Sequence, residues 1–125
     1  MNILIVDDDP DLVSLAQRWL EREGHEVAHA ASGPEALAAL AGDPLPGLVL
    51  LDVMLPKIDG FALLKQIRAD ERLRRLPVVI VSSFTRDKDV ARGMELGADD
   101  YIVKPLMEYH FLGRIERFTK PPQKK

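Results

Sequence analysis

Three carboxylates, one hydroxyl and one ammonium group stand at matched places in this chain, and together they could transfer a phosphoryl group. Asp7 and Asp8 follow the aliphatic run Ile3-Leu4-Ile5-Val6, and Asp52 follows Leu48-Val49-Leu50-Leu51. Ser82 follows Val78-Val79-Ile80-Val81, and Lys104 follows Tyr101-Ile102-Val103. Continuous apolar runs of this length read as strands buried on both faces, as in a parallel sheet. Such sheets bind their ligands at the carboxyl ends of the strands. A lone Asp52 would be equally well explained as a cap on the loop that leads to Pro56. Five polar groups, all at the same end of four strands, are not explained that way. Three neighbouring carboxylates repel one another, so their pocket must raise a pKa or hold a cation. Oxygen donors without His or Cys point to Mg²⁺. Asp52 is then the natural nucleophile, forming an aspartyl-phosphate. Mg²⁺ and Lys104 would stabilise the transferring oxygens, and Ser82 would complete the site.

The elements that must position these groups can be read in order. A strand over 2–6 is followed by a helix carrying Leu12, Leu15, Ala16, Trp19 and Leu20 and stopped by Gly24. Val27 and Ala28 mark a short, weak second strand, and Ser32 with Glu35 form a capping box opening a helix over 35–41. After the strand ending at Asp52, Phe61, Leu64 and Ile67 repeat at helical spacing. The strand over 77–81 is followed by a helix over 86–96 with Gly97 as its stop; its apolar stripe is thin (Val90, Ala91 and Met94). A fifth strand over 101–103 precedes a last helix that buries Phe111, Leu112, Ile115 and Phe118 and is softened by Gly113. Five alternations of strand and helix with right-handed crossovers predict an α/β domain, a parallel sheet covered on both faces. This domain spans 1–119, and 120–125 reads as a frayed tail or the start of a linker.

Composition narrows the function. The chain has 125 residues, 46% hydrophobic and 30% charged, which suits one soluble domain. It has no cysteine, so disulfides, thiol catalysis and Cys-ligated zinc are excluded. A net charge of −3 offers no general attraction for nucleic acid. No apolar run approaches a membrane span, and a strand begins at once after Met1, so no membrane contact and a cytoplasmic location are expected. His25, His29 and His110 are scattered and read as structural or surface residues; Arg72, Arg74 and Arg75 read as a solvated loop cluster.

Four stretches, taken in order, carry a family resemblance: 3–9, 50–60, 76–82 and 97–105. With Asp7-Asp8-Asp9, Asp52 to Gly60, Pro77 to Ser82 and Gly97 to Pro105 in place, the chain resembles the receiver domain of two-component response regulators over essentially its whole length. The resemblance implies a flavodoxin-like (βα)5 fold with strand order 2-1-3-4-5. It implies that Asp52 accepts a phosphoryl group from a phosphohistidine on a sensor histidine kinase or phosphotransfer protein, with Mg²⁺ required. Asp8 would ligate the metal directly and Asp7 through water, with Asp52 and the backbone carbonyl of Met54 as further ligands. Ser82 would hydrogen-bond the phosphoryl group, Lys104 would pair with it, and the Lys104–Pro105 bond would be cis. Ser82 and Tyr101 would form the switch that alters the face made by the fourth helix, fifth strand and fifth helix. Leu12, Leu15 and Pro105 would lie on the kinase-docking face. Such a domain is a phosphoacceptor in a phosphorelay, not a metabolic enzyme: it catalyses only its own phosphorylation and dephosphorylation.

The chain also departs from the family pattern. Ser82 replaces the commoner threonine, Leu106 the usual phenylalanine, and Met107 stands where a helix cap is expected, which bears on how the last helix docks. Met54 and Phe84, two residues after Asp52 and Ser82, are bulky and apolar, so slow loss of the phosphoryl group is expected. Some transcription-factor receivers dimerise through crossed salt bridges on the switch face. Asp100 and Arg114 offer one such pair, whereas Val90 and His110 fall where other charges are needed. Otherwise Asp99 and Asp100 read as solvated turn acids. A haloacid-dehalogenase-like phosphatase would need an acid where Met54 stands, and no P-loop motif is present. The remaining rival is a phosphorylation-independent docking module of the same fold. Whether the domain stands alone or belongs to a longer regulator is left open by the sequence.

Overall fold

In the computed structural model, residues 1–119 are described; the tail expected over 120–125 lies outside them. Five strands form one parallel sheet in the order β2-β1-β3-β4-β5. They are β1 (Asn2–Val6), β2 (Glu26–Ala30), β3 (Leu48–Leu51), β4 (Val78–Ser82) and β5 (Asp100–Val103). The helices between and after them are α1 (Pro10–Arg22), α2 (Gly33–Leu40), α3 (Gly60–Ala69), α4 (Asp87–Glu95) and α5 (Glu108–Thr119). This is the expected flavodoxin-like arrangement, in which the order reverses between β1 and β3.

Alternation along each buried strand splits the core into two layers. Ile3 and Ile5 face one side with Leu50, Val79, Val81 and Ile102. There α1 and α5 cover them with Val13, Ala16, Trp19, Leu20, Phe111 and Ile115, and the Trp19 and Phe111 rings lie 6.0 Å apart. Leu4 and Val6 face the other side with Val49, Leu51 and Ile80, under Phe61, Leu63, Leu64 and Ile67 of α3. Each fully buried aliphatic or aromatic side chain contributes about 1.5–3 kcal/mol relative to exposure, so the sheet is fixed from both faces. Phe111 is fully buried, so the last helix docks firmly despite Leu106 and Met107.

Caps set where the helices start. Asp9 accepts from the amides of Asp11 and Leu12, with Pro10 opening α1. Ser32 accepts from the amide of Glu35, and Asp59 from that of Ala62. Gly97, at φ +105°, ends α4 as expected.

Four readings of the sequence need correction. The second strand is not short: β2 pairs with β1 along all five residues, although it carries few apolar side chains because it is an edge. Asp99 and Asp100 are not simply solvated. The Asp99 carboxylate accepts from the amide of Val78 at 2.8 Å and from Arg68, and the buried Asp100 accepts from Arg114 Nε at 2.7 Å. Arg72 is not a free loop cation: its guanidinium donates to the carbonyls of Leu40 and Gly42 at the end of α2. Those partners lie some thirty residues away, so no local pattern announces them. Finally, α4 does not turn Ala91 and Met94 inward; both are exposed, and its buried residues are Asp89 and Gly93.

Candidate functional site

Register brings the site together. Val6 pairs with Leu51, so Asp7 and Asp52 leave adjacent strands side by side; Ser82 pairs with Val103, and the amide of Lys104 donates to the Ser82 carbonyl at 2.8 Å. Carboxylate oxygens of Asp7, Asp8 and Asp52 all lie within 4.8 Å of one another, with Asp7 and Asp52 buried and Asp8 exposed. Lys104 Nζ bridges the two buried acids, 3.0 Å from Asp7 Oδ2 and 3.1 Å from Asp52 Oδ2.

The remaining carboxylate oxygens are held by backbone. The amide of Asp9 donates to Asp7 Oδ1 at 2.9 Å, and the amide of Met54 to Asp52 Oδ1 at 3.1 Å. Gly60 lets the loop after β3 close on the site: a Cβ there would lie 2.3 Å from the Asp52 carbonyl oxygen. The close approach, not a positive φ, is what demands glycine. Asp9, His29 and Gly60 were not assigned to the site from sequence. The Asp-Pro step could have flagged Asp9 as a helix cap. The contact of His29 Nε2 with the Asp7 carbonyl at 2.8 Å has no sequence signal.

Burial pushes the Asp52 carboxyl above its ordinary range; the Asp7 carboxylate adds to this, and the hydrogen bonds from Met54 and Lys104 offset part of it. Burial would lower Lys104, but its hydrogen bonds to Asp7 and Asp52 outweigh that and hold the ammonium above its ordinary value. Three carboxylates facing one ammonium leave excess negative charge. An all-oxygen donor set whose atoms fall within 4.8 Å fits a small hard divalent ion with ligands at about 2.0–2.1 Å.

Ser82 is fully buried, and its Oγ accepts from the Phe84 amide at 3.1 Å. Tyr101 lies inside the domain, with its hydroxyl donating to the Phe84 carbonyl at 2.9 Å. The Lys104–Pro105 peptide is cis. Met54 is half exposed, and with Phe84 and Asp8 it lines an open groove of about 610 Å³ beside the acids. Leu12, Leu15 and Pro105 share a second depression, of about 430 Å³, with Lys104 and Leu106. Asp100 and Arg114 meet within the chain, and Arg117 approaches the same carboxylate.

Known proteins with this arrangement decide the family. The family model of the response regulator receiver domain matches residues 3–116. The chain belongs to the response regulator receiver family. This receiver domain is 40% identical over 118 residues to the DNA-binding dual master transcriptional regulator RpaA of Synechocystis sp., covering 94% of the chain and 48% of that protein. The chain thus spans about half the length, or less, of the curated relatives it matches first. Among solved structures, it is similar to the BeF3-activated N-terminal receiver domain of Klebsiella pneumoniae RstA, with a TM-score of 0.88, 30% identity, and 97% and 100% of the two chains covered. The Mn²⁺-bound form of response regulator Rcp1 matches with a TM-score of 0.83 and 32% identity, over 94% and 93% of the chains. Among the described residues of this receiver domain, no helix is long and apolar enough to cross a membrane.

Proposed function

We propose that this receiver domain accepts a phosphoryl group on Asp52 from a phosphohistidine of a sensor kinase or phosphotransfer protein, and that the new charge reshapes the α4–β5–α5 face to control an output. The carrying observation is the placement of Lys104 Nζ within 3.1 Å of both buried acids, beside an all-oxygen cluster. An Asp52 carboxylate oxygen attacks the phosphorus; the P–N bond breaks, and its electron pair stays on the imidazole nitrogen, which takes up a proton. Asp7, Asp8, Asp52 and the Met54 carbonyl would hold Mg²⁺, which supplies neutralisation of the transferring oxygens. Lys104 pairs with one of those oxygens and the Ser82 hydroxyl donates to another. Burial raises the Asp52 carboxyl above its ordinary value, which makes its carboxylate the stronger base and so the better nucleophile.

The switch reading assigns Ser82 and Tyr101 to transmission, because the Phe84 backbone links them: its amide bonds Ser82 and its carbonyl accepts from Tyr101. The depression holding Leu12, Leu15 and Pro105 is the proposed kinase-docking face. A homodimer across α4–β5–α5 would have to exchange the internal Asp100–Arg114 pair between copies. The domain would act on no other substrate, contact neither nucleic acid nor membrane itself, and work in the cytoplasm.

Phosphorylation with phosphoramidate and Mg²⁺, followed by borohydride reduction and peptide mapping, tests the assignment. Homoserine at position 52 is expected; its appearance elsewhere would move the acceptor away from Asp52, and its absence would leave the phosphorylation-independent docking module as the better account. Met54 and Phe84 are bulky apolar side chains lining the groove beside the acids, so the purified phosphoprotein with Mg²⁺ should persist well beyond seconds; decay within seconds would refute that shielding.

A further inference from the structure

The least conventional feature of the molecule is what α4 presents to the sheet. Its buried residues are an aspartate and a glycine, Asp89 and Gly93, with Val90 only half-buried. Glycine is a poor helix former, so one in mid-helix calls for a reason in packing. Gly93 has ordinary helical backbone, so conformational freedom is not the reason. Space is. A Cβ on Gly93 would lie 2.7 Å from Ile80 Cδ1 and 3.3 and 3.4 Å from Cδ2 and Cε2 of Tyr101. The place a side chain at 93 would take is occupied by the end of the fully buried Ile80 side chain and closed off by the Tyr101 ring, itself only 7% exposed, in tight contact beside it.

We propose that Gly93 is the positioning residue of Tyr101, a seat without which the ring cannot lie beneath α4. The inference rests on the reading of Tyr101 as the transmitting aromatic and adds the element that reads it. No side chain of α4 stands at that point between helix and ring. Withdrawal of the ring would leave a void under Gly93 that only movement of α4 can close, because protein interiors do not keep voids without penalty. Ring and helix therefore shift together. The hydrogen bonds from the Phe84 amide to Ser82 and from Tyr101 to the Phe84 carbonyl extend the linkage back to the site. Filling the seat should separate chemistry from transmission, since Gly93 touches none of the acids or Lys104.

The chain has two tyrosines, and Tyr109 is 95% exposed, so it serves as an internal reference. We would incorporate 3-fluorotyrosine and measure ¹⁹F relaxation by a soluble nitroxide in wild type, Gly93→Ala and Gly93→Leu. Gly113→Ala is the control, because a Cβ there meets nothing within 4 Å. Each is read with and without Mg²⁺ and acetyl phosphate, and intact mass scores the phosphoryl group. In wild type and the control, Tyr101 should be protected. In Gly93→Leu its relaxation should rise to the value at Tyr109 with or without donor, while the phosphoryl mass still appears. A Tyr101 that stays protected in folded Gly93→Leu would overturn the seat, and loss of the phosphoryl mass in that variant alone would overturn the separation from chemistry. Should Gly93→Leu fail to fold, Gly93→Ala decides: exposure should increase and be reversed by adding Ile80→Val, which removes the nearest clashing methyl. Unchanged protection in Gly93→Ala would then overturn the proposal. A wild type that takes no phosphoryl group would overturn the phosphoacceptor reading alone, because the seat is judged on donor-free samples.

Discussion

Lys104 faces two buried carboxylates at 3.0 and 3.1 Å, so its ammonium is shared between them. Replacing it with methionine leaves Asp7 and Asp52 without their fixed cation and the transferring oxygens without a donor. Lys104→Met should slow phosphoryl acceptance by roughly 10²-fold, the usual scale for one preorganised charge-stabilising group, as read by the rate of mass gain. Asp52 titrates in the opposite sense from a stabilising salt-bridged acid. Its folded pKa lies above the ordinary value of 3.8, so the folded state binds the proton more tightly than the unfolded one. That stability is fully present below 3.8 and is lost as pH rises through the folded value. Asp52→Asn, which cannot ionise, should therefore have a higher Tm than wild type at neutral pH without Mg²⁺, and the gap should shrink as pH falls below 3.8. A gap unchanged across that range would show that burial of the charge is not its cause. The chemical types at the strand ends were legible because a polar group after an aliphatic run stands out. The inward Tyr101 and the His29 contact were not, since an aromatic or an imidazole satisfies surface and core equally well in sequence.

At the scale of elements, turn chemistry explains both what was read and what was missed. The Ser32–Glu35 capping box and the Gly97 stop are local signals, and α2 and α4 begin and end close to them. Burial on α4 was misread because its stripe was sought among apolar residues, whereas the sheet side is Asp89 and Gly93. The Arg68 guanidinium, which reaches the carbonyls of Gly97, Arg74 and Leu76 and the Asp99 carboxylate, is likewise a long-range device without a local signature. The loop after β3 carries strain that no reading of the sequence pointed to: Lys57 sits at φ +71°, a region side chains enter at a cost of about 1–2 kcal/mol. Lys57→Gly should stabilise the domain by up to about 1 kcal/mol in denaturant unfolding, the greater freedom of glycine in the unfolded chain offsetting part of the relief. Destabilisation would mean that the Lys57 side chain makes a compensating contribution.

For the whole molecule, parallel register does the organising: once Val6 lies beside Leu51 and Ser82 beside Val103, the acids, hydroxyl and lysine converge without further adjustment. Fold class and strand order followed from alternation, handed crossovers and the four family stretches, because those are properties of the chain as a whole. The edge strand β2 was underestimated for the complementary reason, its pairing being supplied by β1 more than by its own side chains. The central claim is that this assembly exists to carry a phosphoryl group on Asp52. Intact mass after incubation with acetyl phosphate and Mg²⁺ tests it most directly, with Asp52→Asn and added chelator as controls. The account predicts one added phosphoryl group in the wild type and none in either control; a folded wild type that gains no mass under donor excess would contradict it.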